Sequence, residues 1–221
     1  DFLSLLGYYV AEGCATKFNG YDAIELSFGE HEGSIIRHAS KLIERVTGKR
    51  PSMTHDSKRH GVYLVVYSKE LVELCVEHGG KYATGKRFSK TIMNLPPRRQ
   101  KLVIDSYIQG DGSVSHPPSI SGRLRAIRAC TVSHTLAFQL QELYARQGVY
   151  ACINTQEASN ERMKDGHIIR HKKRYWIIVH ENTRSKRAKR RGSHFLVPIR
   201  AIARRAFRGL VYNLETKNEP H

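Results

Sequence analysis

Two stretches about a hundred residues apart share one plan. SLLGYYVAEG (4–13) and VIDSYIQGDG (103–112) are each an apolar run that ends in a carboxylate followed by glycine. Glu12 and Asp111 are 111 − 12 = 99 positions apart, and other features recur at that offset. Gly48 closes the run SIIRHASKLIERVTG, in which Ile35, Ile36, Ala39, Leu42, Ile43 and Val46 fall at helical spacing. Gly148 closes HTLAFQLQELYARQG, with Leu136, Leu140 and Leu143 in the same role, and 148 − 48 = 100. Both glycines suit the left-handed residue just past a helix. Such a chain is expected to fold as two similar halves related by approximate twofold symmetry.

Hairpin signals fill the gaps. Asn19-Gly20 separates ATKF from the alternating YDAIELSF, and Ser121-Gly122 holds the equivalent place later. After each amphipathic helix a second hairpin is expected: PSMTH and VYLVVYS joined through DSKRHG, then ACINTQE and RYWIIVH joined through a longer loop with Asp165-Gly166. The fold class is therefore α+β, with the order αββαββα written twice and two antiparallel sheets. Pro96-Pro97 marks the join, giving halves at 1–96 and 97–209 and a tail at 210–221. The basic run RSKRAKRRG precedes FLVPIRAIARRAFRG, which is expected to hold the last helix of the second half.

Charge narrows the partner. Lys plus Arg number 37 against 20 Asp plus Glu, a net +17, which points to a polyanion and above all to nucleic acid. The charge is spread along the chain, which favours nucleic acid over an anionic membrane surface. No apolar run approaches the roughly 18 residues of a membrane span. Cys14, Cys75, Cys130 and Cys152 form no CxxC pair, so they read as small buried apolar residues in a reducing, intracellular setting, not as zinc ligands.

The opening helices also carry small residues four apart, Gly7 with Ala11 and Ser106 with Gly110. Residues at i and i+4 share one face, so two such helices can approach closely and bring Glu12 and Asp111 together. Each carboxylate then faces the negative end of its helix dipole, and the two repel one another by roughly 4 kcal/mol at 4 Å for an effective dielectric near 20. A divalent cation reverses both effects. Oxygen ligation by carboxylates and helix-end carbonyls suits Mg2+, with Mn2+ as a substitute, better than zinc.

These residues resemble the LAGLIDADG homing endonucleases: Leu5 to Gly13 and Ile104 to Gly112 match the nine-letter motif, with Glu12 for the commoner Asp and Ser106 for a glycine. The resemblance implies a monomer of two saddle-shaped sheets that cuts both strands of double-stranded DNA at a long asymmetric site, leaving 3′ overhangs. It assigns metal binding to Glu12 and Asp111, with the carbonyls of Ala11 and Gly110 completing the shells. It also implies a catalytic lysine about 25 residues before the second acid, a place that Lys86 fills (111 − 86 = 25). The second-half counterpart falls on His194, Lys189 or Arg191. RGLVYNLETKNEPH is similar to the block near the C-terminus of inteins, although no terminal His-Asn and no Cys or Ser splicing module accompanies it. The chain thus resembles an endonuclease domain taken from an intein and unable to splice.

DNA contacts are expected from Lys17, Lys49, Arg50, Lys58 and Arg59 in the first half and from Arg123, Arg125, Arg128, Arg170, Lys172, Lys173 and Arg174 in the second. Arg123/Arg125 and Arg170/Lys172/Arg174 alternate, which places charge on one face of a strand. Tyr63, Tyr67, Tyr175 and Trp176 read as sheet packing. The alternative reading is a catalytically silent DNA- or RNA-binding module of the same fold, and a further one is an inactive intein remnant.

Overall fold

The computed structural model describes residues 1–115, 126–162, 168–180 and 188–212. Helix α1 (Phe2–Glu12) is apolar on nearly every side, and Leu5, Leu6, Tyr8 and Tyr9 are fully buried in it. An all-round apolar helix must be enclosed. Its neighbours are α2 (Gly33–Thr47), α3 (Lys69–Gly79) and, most extensively, α5 (Pro97–Asp111), which the short α4 (Lys90–Met93) precedes. Strand β1 (Gly13–Phe18) follows α1 without a loop, and β5 (Gly112–Ser115) follows α5 in the same way. A Cβ at Gly13 would lie 2.6 Å from the Tyr9 backbone, and one at Gly112 would lie 2.3 Å from the Ile108 carbonyl. The glycine after each acid therefore lets the last helical turn run straight into the sheet.

The first sheet has the order β1-β2-β4-β3, with β2 at Tyr21–Gly29, β3 at Ser52–Asp56 and β4 at Gly61–Tyr67. Adding β6 (Ala126–Thr131), β7 (Ala151–Gln156) and β10 (Arg174–His180), the second sheet has the order β5-β6-β10-β7. The register repeats as well: Gly13, Leu26, Leu64 and Met53 form one row, and Gly112, Ala129, Ile177 and Ile153 form its counterpart. Asn19-Gly20 makes the expected two-residue turn, with positive φ at both positions. Gly48 and Gly148 have positive φ of 69° and 76° after α2 and α6 (His134–Arg146). Pro97 opens α5 as expected.

The second half departs from the expected plan in three ways. Among the described residues its closing helix is absent: residues 197–212 have no regular structure and are exposed, with Ile199, Ile202 and Phe207 in solvent. A short helix needs an apolar face to bury, and here Arg200, Arg204 and Arg208 would repel one another at i, i+4 spacing. The groove that corresponds to the seat of α3, lined by Ile104, Ile108, Ile127, Tyr144 and Val179, is left open by the described residues, with a volume of about 490 Å³. Second, the loop between β7 and β10 contains its own hairpin, β8 (Ser159–Arg162) with β9 (Ile168–His171), so Arg170, Lys172 and Arg174 do not alternate on one strand. Third, β11 (Lys189–Arg191) and β12 (His194–Leu196) form a small exposed hairpin. Arg123, Arg125, the Ser121-Gly122 and Asp165-Gly166 turns, and residues 213–221 lie outside the described residues. Cys75 and Cys152 are buried and Cys130 partly so, but Cys14 is exposed, because it points away from the helices on the outer side of β1.

Candidate functional site

The small-residue stripes meet. A Cβ on Gly7 would lie 2.5 Å from the Val103 carbonyl oxygen and 2.8 Å from Ser106 Cβ, and one on Gly110 would lie 2.8 Å from Ala11 Cβ and 3.1 Å from Glu12 Cγ. The Glu12 side chain thus lies across Gly110, one residue before Asp111. Burial pushes the Glu12 carboxyl up to about 7, and the charges of Asp111 and Glu32 add to the effect. Asp111 is raised to about 6, chiefly by desolvation, against the lowering influence of the Tyr107 hydroxyl, which donates to Oδ2 at 3.2 Å, and of Lys86. The repulsion between the two acids is expressed at Glu12.

Asp111 borders a cavity of about 440 Å³ together with Ala11, Cys14, Lys86 and Cys130. Lys86 is 7% exposed, and its ammonium donates to the carbonyls of Tyr9 at 2.6 Å and Gly13 at 2.9 Å. It also sits 3.4 Å from the centre of the Tyr9 ring. Desolvation lowers its pKa to about 8, opposed by Cys75, Cys14 and Asp111, so the group remains mostly protonated at neutral pH. Lys86 therefore fastens the end of α1 beside the two acids. The second half grips the same segment: Ser133 Oγ donates to the Lys86 carbonyl at 2.6 Å, and the Gln139 amide bonds both N–H and C=O of Phe88 at 2.7 Å.

Two partly desolvated carboxylates with raised proton affinity, one of them further raised by the charge of the other, fit a divalent metal, because a cation favours the ionised form of both. Ala11 and Gly110 lie in the last helical turns, whose carbonyls have no intrahelical donor, so they can add oxygens. Among the described residues no cluster of three or more His, Cys, Asp or Glu has a ligating arrangement. A site here would use two side-chain carboxylates and main-chain oxygens.

The structure brings Glu12, Asp111 and Lys86 together and leaves His194 elsewhere. His194 lies exposed in β12, beside Ser193, in a hairpin that reaches the rest of the fold through Phe195 against Tyr150. Lys189 and Arg191 are in the same hairpin. The sequence has too few apolar residues there to draw these bases inward. Arg128 and Arg174 lie on the outer face of the second sheet, opposite Ile127, Ala129, Tyr175 and Ile177. Lys17 is at a strand tip paired with Asp22 at 3.5 Å, Lys58 and Arg59 lie in the exposed β3–β4 turn, and Arg170 and Lys172 are exposed near the β8–β9 hairpin. Lys49 bonds the Tyr67 carbonyl, Arg50 pairs with Glu44 and Lys173 with Glu157. Of the four aromatics expected to pack, only Tyr175 faces the helices; Tyr63, Tyr67 and Trp176 fall on the outer faces by strand alternation. Sequence reasoning missed Tyr107, Ser133 and Gln139. Tyr107 could have been found, since Tyr8 holds the same motif position, but no local signal marks the other two.

No family model matches the chain. It is 28% identical over 219 residues to an iron-sulfur cluster assembly SufBD family protein of Mycobacterium tuberculosis, covering 99% of this chain and 25% of that protein. It is 24% identical over 229 residues to an ATP-dependent DNA helicase of Thermococcus kodakarensis, with 97% and 20% covered. It is 30% identical over 155 residues to a DNA polymerase of Thermococcus hydrothermalis, with 68% and 8% covered. The chain spans about a quarter or less of the length of these curated relatives. Among solved structures, mesophilic variants of the homing endonuclease I-DmoI superpose with a TM-score of 0.56 at 14% identity, covering 81% of this chain and 88% of that one. I-DmoI in complex with DNA and Ca gives 0.55 at 12% identity, covering 81% and 82%. The chain has the LAGLIDADG homing endonuclease fold. Among the described residues no helix is long and apolar enough to cross a membrane.

Proposed function

We propose that this chain is a sequence-specific, metal-dependent endonuclease that hydrolyses both strands of double-stranded DNA and leaves 3′ overhangs. The observation that carries the reading is the convergence of Glu12 and Asp111 from two equivalent helix ends, each with a raised pKa. Glu12 and Asp111, with the carbonyls of Ala11 and Gly110, would hold Mg2+ or Mn2+, which when bound supplies charge neutralisation and activation of water. Lys86 fixes the end of α1 and presents a positive charge beside the scissile phosphate. Tyr107 orients the Asp111 carboxylate. Because each half supplies one acid, the chain works as a monomer.

The fold neighbours include a complex with DNA and Ca and another with DNA and Mn, which supports a duplex partner and divalent metal. We also propose an intein origin, a reading motivated by the resemblance of RGLVYNLETKNEPH to an intein block; the chain matches three proteins of unlike description, each over a fraction of its length. An intracellular location follows from a nucleic-acid substrate. The test is selection of cleaved sites from a randomised duplex library with magnesium, comparing the wild type with Asp111→Asn. Cutting should be enriched at one site and abolished by the substitution. Specific binding without cleavage in magnesium or manganese would favour the silent binding module.

A further inference from the structure

The two sheets present unlike chemistry to a shared partner. On the outer face of the first sheet the register sets Glu25 between Cys14 and Val65, and Tyr63 between Ser27 and Thr54, with Phe18 and Tyr67 near the β1–β2 turn. Among the described residues of that face there is no lysine or arginine. Its charges are carboxylates: Glu25 at the centre, and Asp56 at the end, bound to the backbone of Lys58 and Arg59. Tyr21 and Tyr67 are 70% and 45% exposed, and the Phe18 and Tyr67 rings meet edge to face at 6.4 Å. The nearby cations Lys17, Lys58 and Arg59 all sit at strand tips. Such a face repels phosphate at its centre and offers aromatic, aliphatic and hydroxyl groups in its place.

The second sheet differs at equivalent rows. Arg128 stands between Ser113 and Ile178, and Arg174 stands beside Gln156, with Trp176 donating to Gln156 Oε1 at 3.2 Å. Arg174 Nε is buried without a hydrogen-bond partner. A buried guanidinium donor lacking an acceptor is costly unless a partner supplies one.

We infer that the two half-sites of the DNA target differ in base chemistry. The half-site under the first sheet is rich in A·T pairs whose thymine methyls meet Phe18, Tyr63, Val65 and Tyr67. The half-site under the second sheet carries guanines read by Arg128 and Arg174. In the major groove thymine is the base that offers a methyl group, and guanine offers the O6/N7 acceptor pair that fits an arginine fork. Glu25, an acceptor only, adds a preference for the amino group of cytosine or adenine at one position of the first half-site. This inference rests on the reading of the chain as a duplex-DNA enzyme.

The test is a binding selection of the full chain on a randomised duplex library without divalent metal, followed by variants checked for native circular dichroism. Arg128→Ala and Arg174→Ala should each relax a guanine preference by about tenfold at positions on one side of the site. Phe18→Ala with Tyr67→Ala should relax A·T positions on the other side. Replacing thymine by uracil, which removes only the methyl, should weaken binding several-fold in the first half-site and leave the second unchanged. A specific site with similar base content in both halves, or an equal uracil effect in both, would overturn the inference and leave the endonuclease reading standing. Full affinity and unchanged preference in the Phe18/Tyr67 variant would also overturn it, and would point to a protein covering that face. Absence of any specific duplex binding would remove the endonuclease reading and the inference with it.

Discussion

Gly7 and Gly110 decide how near the two acids come. Gly7→Val would press a side chain against the Val103 carbonyl, which cannot rotate away, and should cost about 2–3 kcal/mol in urea denaturation. The same helix separation should cost DNA cleavage more than DNA binding. The two carboxyls have a thermodynamic consequence of their own. With Glu12 raised to about 7 and Asp111 to about 6, the folded state holds more protons than the unfolded chain between about pH 4 and 7. The contribution of these groups to stability therefore falls as pH rises through that window, and the loss is complete above it. In the metal-free protein Glu12→Gln should flatten that slope, read as the change in melting temperature between about pH 5 and pH 8. Magnesium should raise the melting temperature more at the higher pH, because protons compete with it for the same oxygens. Lys86→Met would leave the Tyr9 and Gly13 carbonyls short of a donor at the end of α1, costing about 1–3 kcal/mol in the same denaturation assay. The acids were legible in the sequence by offset, and Lys86 through the family resemblance that implies a lysine about 25 residues before the second acid. That Lys86 binds backbone was not, since a contact across 77 residues leaves no local mark.

The segment at residues 86–89 joins the halves as much as the helices do. Ser133 caps α6 through the Leu136 N–H at 3.2 Å and holds the Lys86 carbonyl with the same hydroxyl. Ser133→Ala should therefore cost about 1–2 kcal/mol in thermal or urea unfolding, more than an ordinary exposed cap. The amphipathic helices, the Asn19-Gly20 turn and the first-half strands were readable because period, turn residues and burial agree in them. Residues 197–212 show the limit of such reading. Their pattern of apolar and basic residues fits a helix, but a pattern forms a helix only where a surface takes up its apolar side, and Ile199, Ile202 and Phe207 stay exposed.

Across the whole molecule, a net +17 on a fold with two outward-facing sheets would make the proposed association with DNA strongly dependent on salt. If six or more phosphates are contacted, log affinity should fall against log salt with a slope of about −5 or steeper, measurable by fluorescence anisotropy at several salt concentrations. The sequence by itself determined the duplication, the fold class, the pairing of Glu12 with Asp111 and a net charge that favours a polyanionic partner, because spacing, periodicity and charge are properties of the chain as written. The tertiary structure alone decided which groups serve those acids and which face each sheet turns outward. Tyr107 and Lys86 reach the site, His194 stays exposed on the small β11–β12 hairpin, and Tyr63 and Trp176 face outward while Tyr175 packs inward. Those outcomes depend on strand register and on where apolar area can be buried. Shifting a strand by one residue would reverse every one of its faces without changing a letter of the sequence.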